Sequence, residues 1–295
     1  MTVRNGLMRV LLQEDLNFLV TNRLPRRLLS RFMGWFSGVE QPLVSKPSIA
    51  LWRFFADVDM SDAANSNYRS LRDAFTRSLL PDARPIAADA DLLVSPCDAI
   101  VGAHGVIEDG RAYQVKGSPY TLSELAGVDA EGFESGRFVT LRLTAGMYHR
   151  FHAPHDLVVE SVNYISGDTW NVNPIALKRV ERLFCRNERA VVRARLSPDG
   201  PVILIVAVAA ILVAGIRFHF LDVPALLRGG GPRRVPVGMP VPRGAEMGWF
   251  EHGSTIIVFA PERVDFAETV ESGRELRVGE PLFRLADDAG ATGEA

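Results

Sequence analysis

GAEMGWFEHGSTIIVFAP, residues 244–261, joins two kinds of text. From Ile256 through Phe259 it is a run of β-branched and aromatic residues that reads as a buried strand. Just before that run stands Gly253, a residue free to take backbone angles closed to others, and then two hydroxyl side chains, Ser254 and Thr255. The pattern predicts a tight turn opening directly into a sheet. Held off its relaxed geometry, such a turn sets Ser254 Oγ against the Gly253 carbonyl, where attack converts the amide into an ester. β-Elimination of that ester would turn Ser254 into dehydroalanine, and hydrolysis would leave a pyruvoyl group at a new N-terminus. Taken alone, a Gly-Ser-Thr triplet is equally an ordinary turn.

Working outward, the text on both sides is cut into short β-rich runs separated by turn residues: 92–94, 99–106, 137–143, 157–165, 190–196, 202–216, 254–259 and 277–283. Many short strands with few long helical patterns predict an α+β protein with a mostly antiparallel β core. One helix interrupts it where Thr121 and Glu124 form a capping box ahead of Leu125. The longest apolar run, VILIVAVAAILVAG at 202–215, is shorter than the roughly 20 residues a membrane-spanning helix needs and reads as a buried strand pair. Residues 67–81 carry apolar side chains about every fourth position and read as a helix closed by Pro81, with 82–91 as a linker into the β core. The Gly-, Pro- and Arg-dense stretch 226–243 lacks the spacing of a phosphate-binding loop and reads as a mobile loop, and the tail 286–295 as disordered.

Composition bounds the function. A 295-residue chain that is 47% hydrophobic and 23% charged can bury a large core, and its net charge of -2 excludes a general nucleic-acid binder. Cys97 and Cys185 form no CxxC pair and no disulfide framework, which points to a reducing compartment, and Cys97 reads as a small packed residue. No secretory signal is legible, because Gln13, Glu14 and Asp15 interrupt the apolar residues of the first 20. The first 40 residues hold six arginines against three acids, interleaved with leucines and aromatics. That mixture predicts amphipathic helices either lying on an anionic membrane or capping a soluble core. The chain divides into an N-terminal helical region (1–65), for which a membrane surface is one of those two readings, a β-rich region (66–285) that holds the Gly253–Ser254 turn and is the candidate catalytic region, and the tail (286–295).

Four stretches in fixed order carry a resemblance: SPCDAIV (95–101), MYHRFHAPHD (147–156), FCRNERAVV (184–192) and EMGWFEHGSTIIVFAP (246–261). Together they resemble the phosphatidylserine decarboxylases, pyruvoyl-dependent enzymes that cut themselves. Two departures stand out: His252 precedes the Gly-Ser-Thr triplet where that family commonly has leucine, and Ala99 stands where it usually has glycine. The resemblance implies cleavage between Gly253 and Ser254 and a pyruvoyl cofactor built from Ser254, with no metal and no pyridoxal phosphate. It assigns the maturation base to His152 and the orienting carboxylate to Asp98. His149 becomes the proton donor for the decarboxylation, in which the substrate amine forms a Schiff base with the Ser254-derived carbonyl. It further implies phosphatidylserine as substrate, processed large and small chains that dimerise again, and a peripheral seat on the cytoplasmic side of the cell membrane.

Rival readings remain at this stage. Asp98, His152 and Ser254 are also the parts of a serine hydrolase that leaves its chain intact, although no GxSxG elbow is present. A membrane-surface module without enzymatic activity would need only the turn. His149, His152 and His155 could be metal ligands but lack the i, i+4 helical spacing of HExxH, and His155 reads as structural. In a regular strand His149 and His152 face opposite sides.

Overall fold

The computed structural model describes residues 26–115, 118–196, 200–210, 215–229, 233–251 and 254–286. The expectations for residues 1–25, residues 287–295 of the tail, His252 and Gly253 lie outside them. Two helices come first, α1 (Arg26–Phe36) and α2 (Pro42–Ala56), followed by a one-turn helix α3 (Leu71–Phe75). Ser70 caps α3 by accepting the Asp73 amide, and the chain turns extended beyond Thr76, so the helix expected over 67–81 is confined to its centre. Leu79 instead bridges Ala63 as extended chain.

The strands then follow in chain order: β1 (Leu92–Val94), β2 (Ala99–Ile107), β3 (Arg111–Val115), β4 (Ser118–Thr121), β5 (Gly136–Arg142), β6 (Arg150–His152), β7 (Leu157–Ile165) and β8 (Arg189–Leu196). After them come β9 (Val202–Ala209), β10 (Ile216–Phe218), β11 (Arg234–Val241), β12 (Glu246–Phe250), β13 (Ser254–Ala260), β14 (Val264–Phe266), β15 (Glu275–Leu276) and β16 (Pro281–Leu285). Short helices α4 (Leu122–Ala126), α5 (Pro174–Arg179), α6 (Leu183–Arg186) and α7 (Val223–Gly229) lie between. The Thr121–Glu124 capping box forms at the start of α4. The class is α+β with mostly antiparallel sheets and N-terminal helices, as expected.

One eight-stranded sheet organises the molecule, in the order β11-β7-β8-β9-β13-β5-β2-β15, with every neighbouring pair antiparallel. β13 lies inside it, bonded to β9 and β5 without a break in register. Ile256 through Ala260 are wholly buried, which is why this strand alternates between two apolar faces rather than between apolar and polar ones. The outer strands are blunted: β15 has two residues, and β11 carries Pro236 and Pro240 with a register shift between Pro236 and Met239. Proline is tolerated there because an edge strand has one side without ladder bonds. The stretch read as a mobile loop, 226–243, thus contributes the end of α7 and an edge strand. The described residues of the run 202–215 supply one strand of this sheet, β9; β10, which follows the run, belongs to a second sheet, β10-β12-β6. Of the expected strand 277–283 only the last three residues are strand, since residues 278–280 turn between β15 and β16, and β16 joins a third sheet, β1-β16-β14.

Gly248 shows why β12 reads EMGWF. A Cβ there would come within 2.0 Å of the Arg217 carbonyl oxygen and 2.8 Å of Phe151, so the middle of the small sheet closes only on a bare backbone. Around it pack Phe151, Phe218 and Phe250, with ring centroids 5.6 and 5.3 Å from Phe151.

Candidate active site

β12 belongs to the small sheet and β13 to the large one, so the three residues 251–253 carry the chain from one sheet into the other. Phe250 donates its amide to the His149 carbonyl at 2.9 Å, and Glu251 donates to the Gly215 carbonyl at 3.1 Å. On the far side of the step, Ser254 is the first residue of β13, opposite Ala209, with Thr255 opposite Arg142 and Val208. Both ends of the step are therefore pinned by backbone bonds.

The four motif stretches meet around this step. His152 donates its amide to the Pro96 carbonyl at 2.7 Å, which joins the 147–156 stretch to the residues just before Asp98. Its ring Nδ1 lies 2.8 Å from the Gly244 carbonyl, two residues ahead of β12. A carbonyl can only accept, so Nδ1 carries the proton and Nε2 is left with the lone pair. Tyr148 Oη lies 3.1 Å from that Nε2 and donates to it. Burial pushes the His152 pKa below the ordinary range; the Gly244 bond and the charges of Glu246 and Asp98 work the other way. A neutral, Nδ1-protonated imidazole with a basic Nε2 is the result.

Asp98 is buried, but its oxygens do not bond to His152. Arg84 grips them through Nε at 2.9 and 3.1 Å and through Nη2 at 2.6 Å, and the Val278 amide donates at 2.9 Å. Arg84 also reaches Asp62 at 2.7 Å. Burial works against the Arg84 cation, and the bonds to Asp98 and Asp62 outweigh it, holding its pKa above the ordinary arginine range. The guanidinium carbon lies 6.0 Å from the Tyr148 ring centroid. Asp98 and His152 are therefore linked through Arg84 and Tyr148, with Asp98 acting on the imidazole by its charge. These groups edge a cavity of about 200 Å3 lined by Asp59, Asp62, Arg77, Arg84, Asp98 and Tyr148, among others.

His149 faces elsewhere. It is fully buried, donates Nδ1–H to the Met147 carbonyl at 2.8 Å and lies against Phe75 of α3 with centroids 4.0 Å apart. Phe75 in turn packs on Trp52 of α2 at 5.7 Å, and Trp52 donates to the Ala145 carbonyl at 3.0 Å. His155 bonds the carbonyls of Asp156 and Ala90, and Cys97 is sealed in the core, where burial raises its thiol pKa well above the ordinary range. Among the described residues no group of three or more His, Cys, Asp and Glu side chains is arranged to hold a metal ion.

Sequence reasoning missed three supports. Arg84 was hidden in a stretch read as a linker, although an arginine between acidic and apolar residues was its one visible sign. Tyr148 stands inside a quoted motif. Asn187, in the 184–192 stretch, is fully buried and donates to the carbonyls of Ala209 and Trp170, both at 2.8 Å, while accepting from the Trp170 amide. Ala209 is the strand partner of Ser254, so Asn187 fixes the backbone directly across from the serine.

Comparison with known proteins gives a consistent result. The profile of the family described as phosphatidylserine decarboxylase matches residues 71–284. The chain is 35% identical over 278 residues to a phosphatidylserine decarboxylase proenzyme of Shewanella amazonensis, covering 90% of this chain and 96% of that one. It is 36% identical over 284 residues to the protein of the same name from Shewanella sp. strain MR-4, covering 91% and 96%, and 34% identical over 278 residues to that of Shewanella frigidimarina, covering 89% and 95%.

Proposed function

Since the chain belongs to the phosphatidylserine decarboxylase family, we propose that it is made as one inactive polypeptide that cuts itself between Gly253 and Ser254 and then converts phosphatidylserine into phosphatidylethanolamine and CO2. The observation that carries this reading is His152: its Nδ1–H is held by the Gly244 carbonyl and its Nε2 left basic, in a segment whose His149 carbonyl accepts from Phe250 just ahead of the Gly253–Ser254 step.

In this mechanism His152 Nε2 accepts the Ser254 proton as Oγ closes on the Gly253 carbonyl, and Tyr148 Oη gives up its place on that nitrogen. The charges of Asp98 and Glu246 favour the imidazolium that forms. The carbonyl carbon of Gly253 moves from the amide nitrogen of Ser254 to its oxygen, and that nitrogen takes up a proton. Loss of the Ser254 Cα proton breaks the Cβ–O bond, freeing a carboxylate at Gly253; hydrolysis of the resulting enamine releases ammonia. Ser254 is suited to the group this leaves, because β13 holds its backbone at the head of a ladder bonded on both sides. When present, the pyruvoyl group supplies an electron sink for the bond to the departing CO2. We assign to His149 the return of the proton to the substrate carbon, a role for which its ring, buried against Phe75, would have to be uncovered.

The N-terminal helices suit a lipid substrate. Leu28, Phe32 and Trp35 stand exposed along α1, and Leu43, Leu51 and Phe54 along α2, at spacings that place each set on one helix face. No helix of the described residues is long and apolar enough to cross a membrane. We assign the protein to the cytoplasmic side of the membrane, attached peripherally to an anionic surface as processed chains that dimerise. Intact mass under denaturing conditions tests the core of this reading. Two species, the smaller spanning 254–295 with a pyruvoyl end, are expected; a single full-length species that hydrolyses esters would establish the serine hydrolase instead.

A further inference from the structure

Residues opposite one another in an antiparallel sheet share a face. One such row runs Ile100, Arg142, Thr255, Val208, Arg189 across five strands. Its two arginines are treated differently. Arg189 is buried and donates to four backbone carbonyls, those of Glu124, Leu125, Cys185 and Asn187. Arg142 is half-buried beside the residue that follows Ser254, and among the described residues it has no hydrogen bond and no ion pair.

Two further donors stand beside Arg142 in the same condition. Thr255, its partner across the ladder, is 1% exposed, and Thr140, two positions earlier on the same face of β5, is 3% exposed. Among the described residues the hydroxyls of both have no hydrogen-bond partner. Burial alone lowers the Arg142 pKa, and no carboxylate lies close enough to offset that. A guanidinium and two buried hydroxyls stand side by side at the end of the sheet nearest Ser254, a donor set suited to an anion.

We propose that Arg142, with Thr255 and Thr140, is an oxyanion seat that takes a charged oxygen group of the substrate head in the processed enzyme. The occupant rests on the decarboxylase reading above; the seat itself rests on the geometry. Phosphatidylserine offers two such groups, the phosphodiester and the serine carboxylate, with the same chemistry toward a guanidinium.

The test uses the processed protein, its cleavage verified by intact mass, as wild type, Arg142→Gln and Arg142→Lys. Two probes without an amine separate the sources: glycerol 3-phosphate, which has no carboxylate, and N-acetylserine, which has no phosphate. Binding is read by titration calorimetry, and KM and kcat with phosphatidylserine in detergent micelles. Arg142→Gln is expected to raise KM about tenfold or more with kcat changed far less, and Arg142→Lys to recover part of the loss. Weakened glycerol 3-phosphate binding in Arg142→Gln identifies the phosphodiester as occupant, and weakened N-acetylserine binding the carboxylate. Should Arg142→Gln fail to fold, Arg142→Lys carries the same comparison with a smaller expected loss. If wild type binds neither probe, or the variants bind both as wild type does with KM unchanged, the seat is overturned. Arg142-dependent probe binding in a protein that does not turn over phosphatidylserine would keep the seat and remove the decarboxylase reading.

Discussion

Replacing Ser254 with alanine removes the oxygen proposed to attack the Gly253 carbonyl, so Ser254→Ala is expected to persist as one full-length, inactive chain on a denaturing gel; a cut Ser254→Ala protein would sink the mechanism. His152→Ala is expected to slow cleavage about 100-fold or more in a time course of chain cutting, the usual size of a general-base contribution. The pH dependence has a definite sign. Burial lowers the His152 pKa, so the imidazole stays neutral to pH values below its ordinary ~6.5, and the acid limb of the cleavage rate should fall below that value. The unfolded chain binds the proton more readily, so the stability tied to this residue is complete above about 6.5 and is lost as pH falls through the folded value. Arg84→Met leaves Asp98 buried with only the Val278 amide, and is expected to cost roughly 3 kcal/mol, read as a lower Tm, and to slow cleavage. At this scale the motif residues were legible because their chemistry is local. Arg84 and Asn187 were not, since each acts on a residue 14 or 22 positions away that only the fold brings near.

Among the elements, strands rich in β-branched and aromatic residues were legible almost to the residue: β7 spans the expected 157–165, and β13 extends its expected run by one alanine. β11 was not, because proline and glycine usually mark loops, and only its place at a sheet edge makes Pro236 and Pro240 harmless. α3 was overdrawn, since its apolar spacing continues beyond Thr76 while the backbone does not. The helices before it carry their own prediction. Leu43→Ser and Phe54→Ser on α2 each remove an exposed apolar side chain and are expected to weaken sedimentation with phosphatidylserine-containing vesicles about tenfold. Chain cutting should be unchanged. Unaltered vesicle binding in the double variant would turn this face over to another role. α2 is also tied to the site loop: a Cβ on Gly146 would come within 2.5 Å of the Ala56 carbonyl at its C-terminal end. Gly146→Ala is therefore expected to disturb the segment leading to His149 and to lower Tm.

For the molecule as a whole, the position of β13 decides what happens after the cut. The new small chain begins with a strand bonded on both sides inside the eight-stranded sheet and ends beyond β16, which pairs with β1 and β14. Gel filtration without denaturant is expected to keep the two chains together, separating only when urea unfolds the sheet. The same placement acts as a form of proofreading. The ends of the 251–253 step are held by β9 and by the 147–156 segment, so under the proposed mechanism a chain that has mispaired its strands would have no means of making its electrophile. Defective copies would stay chemically inert, and the reactive carbonyl would exist only inside molecules that have passed their own inspection.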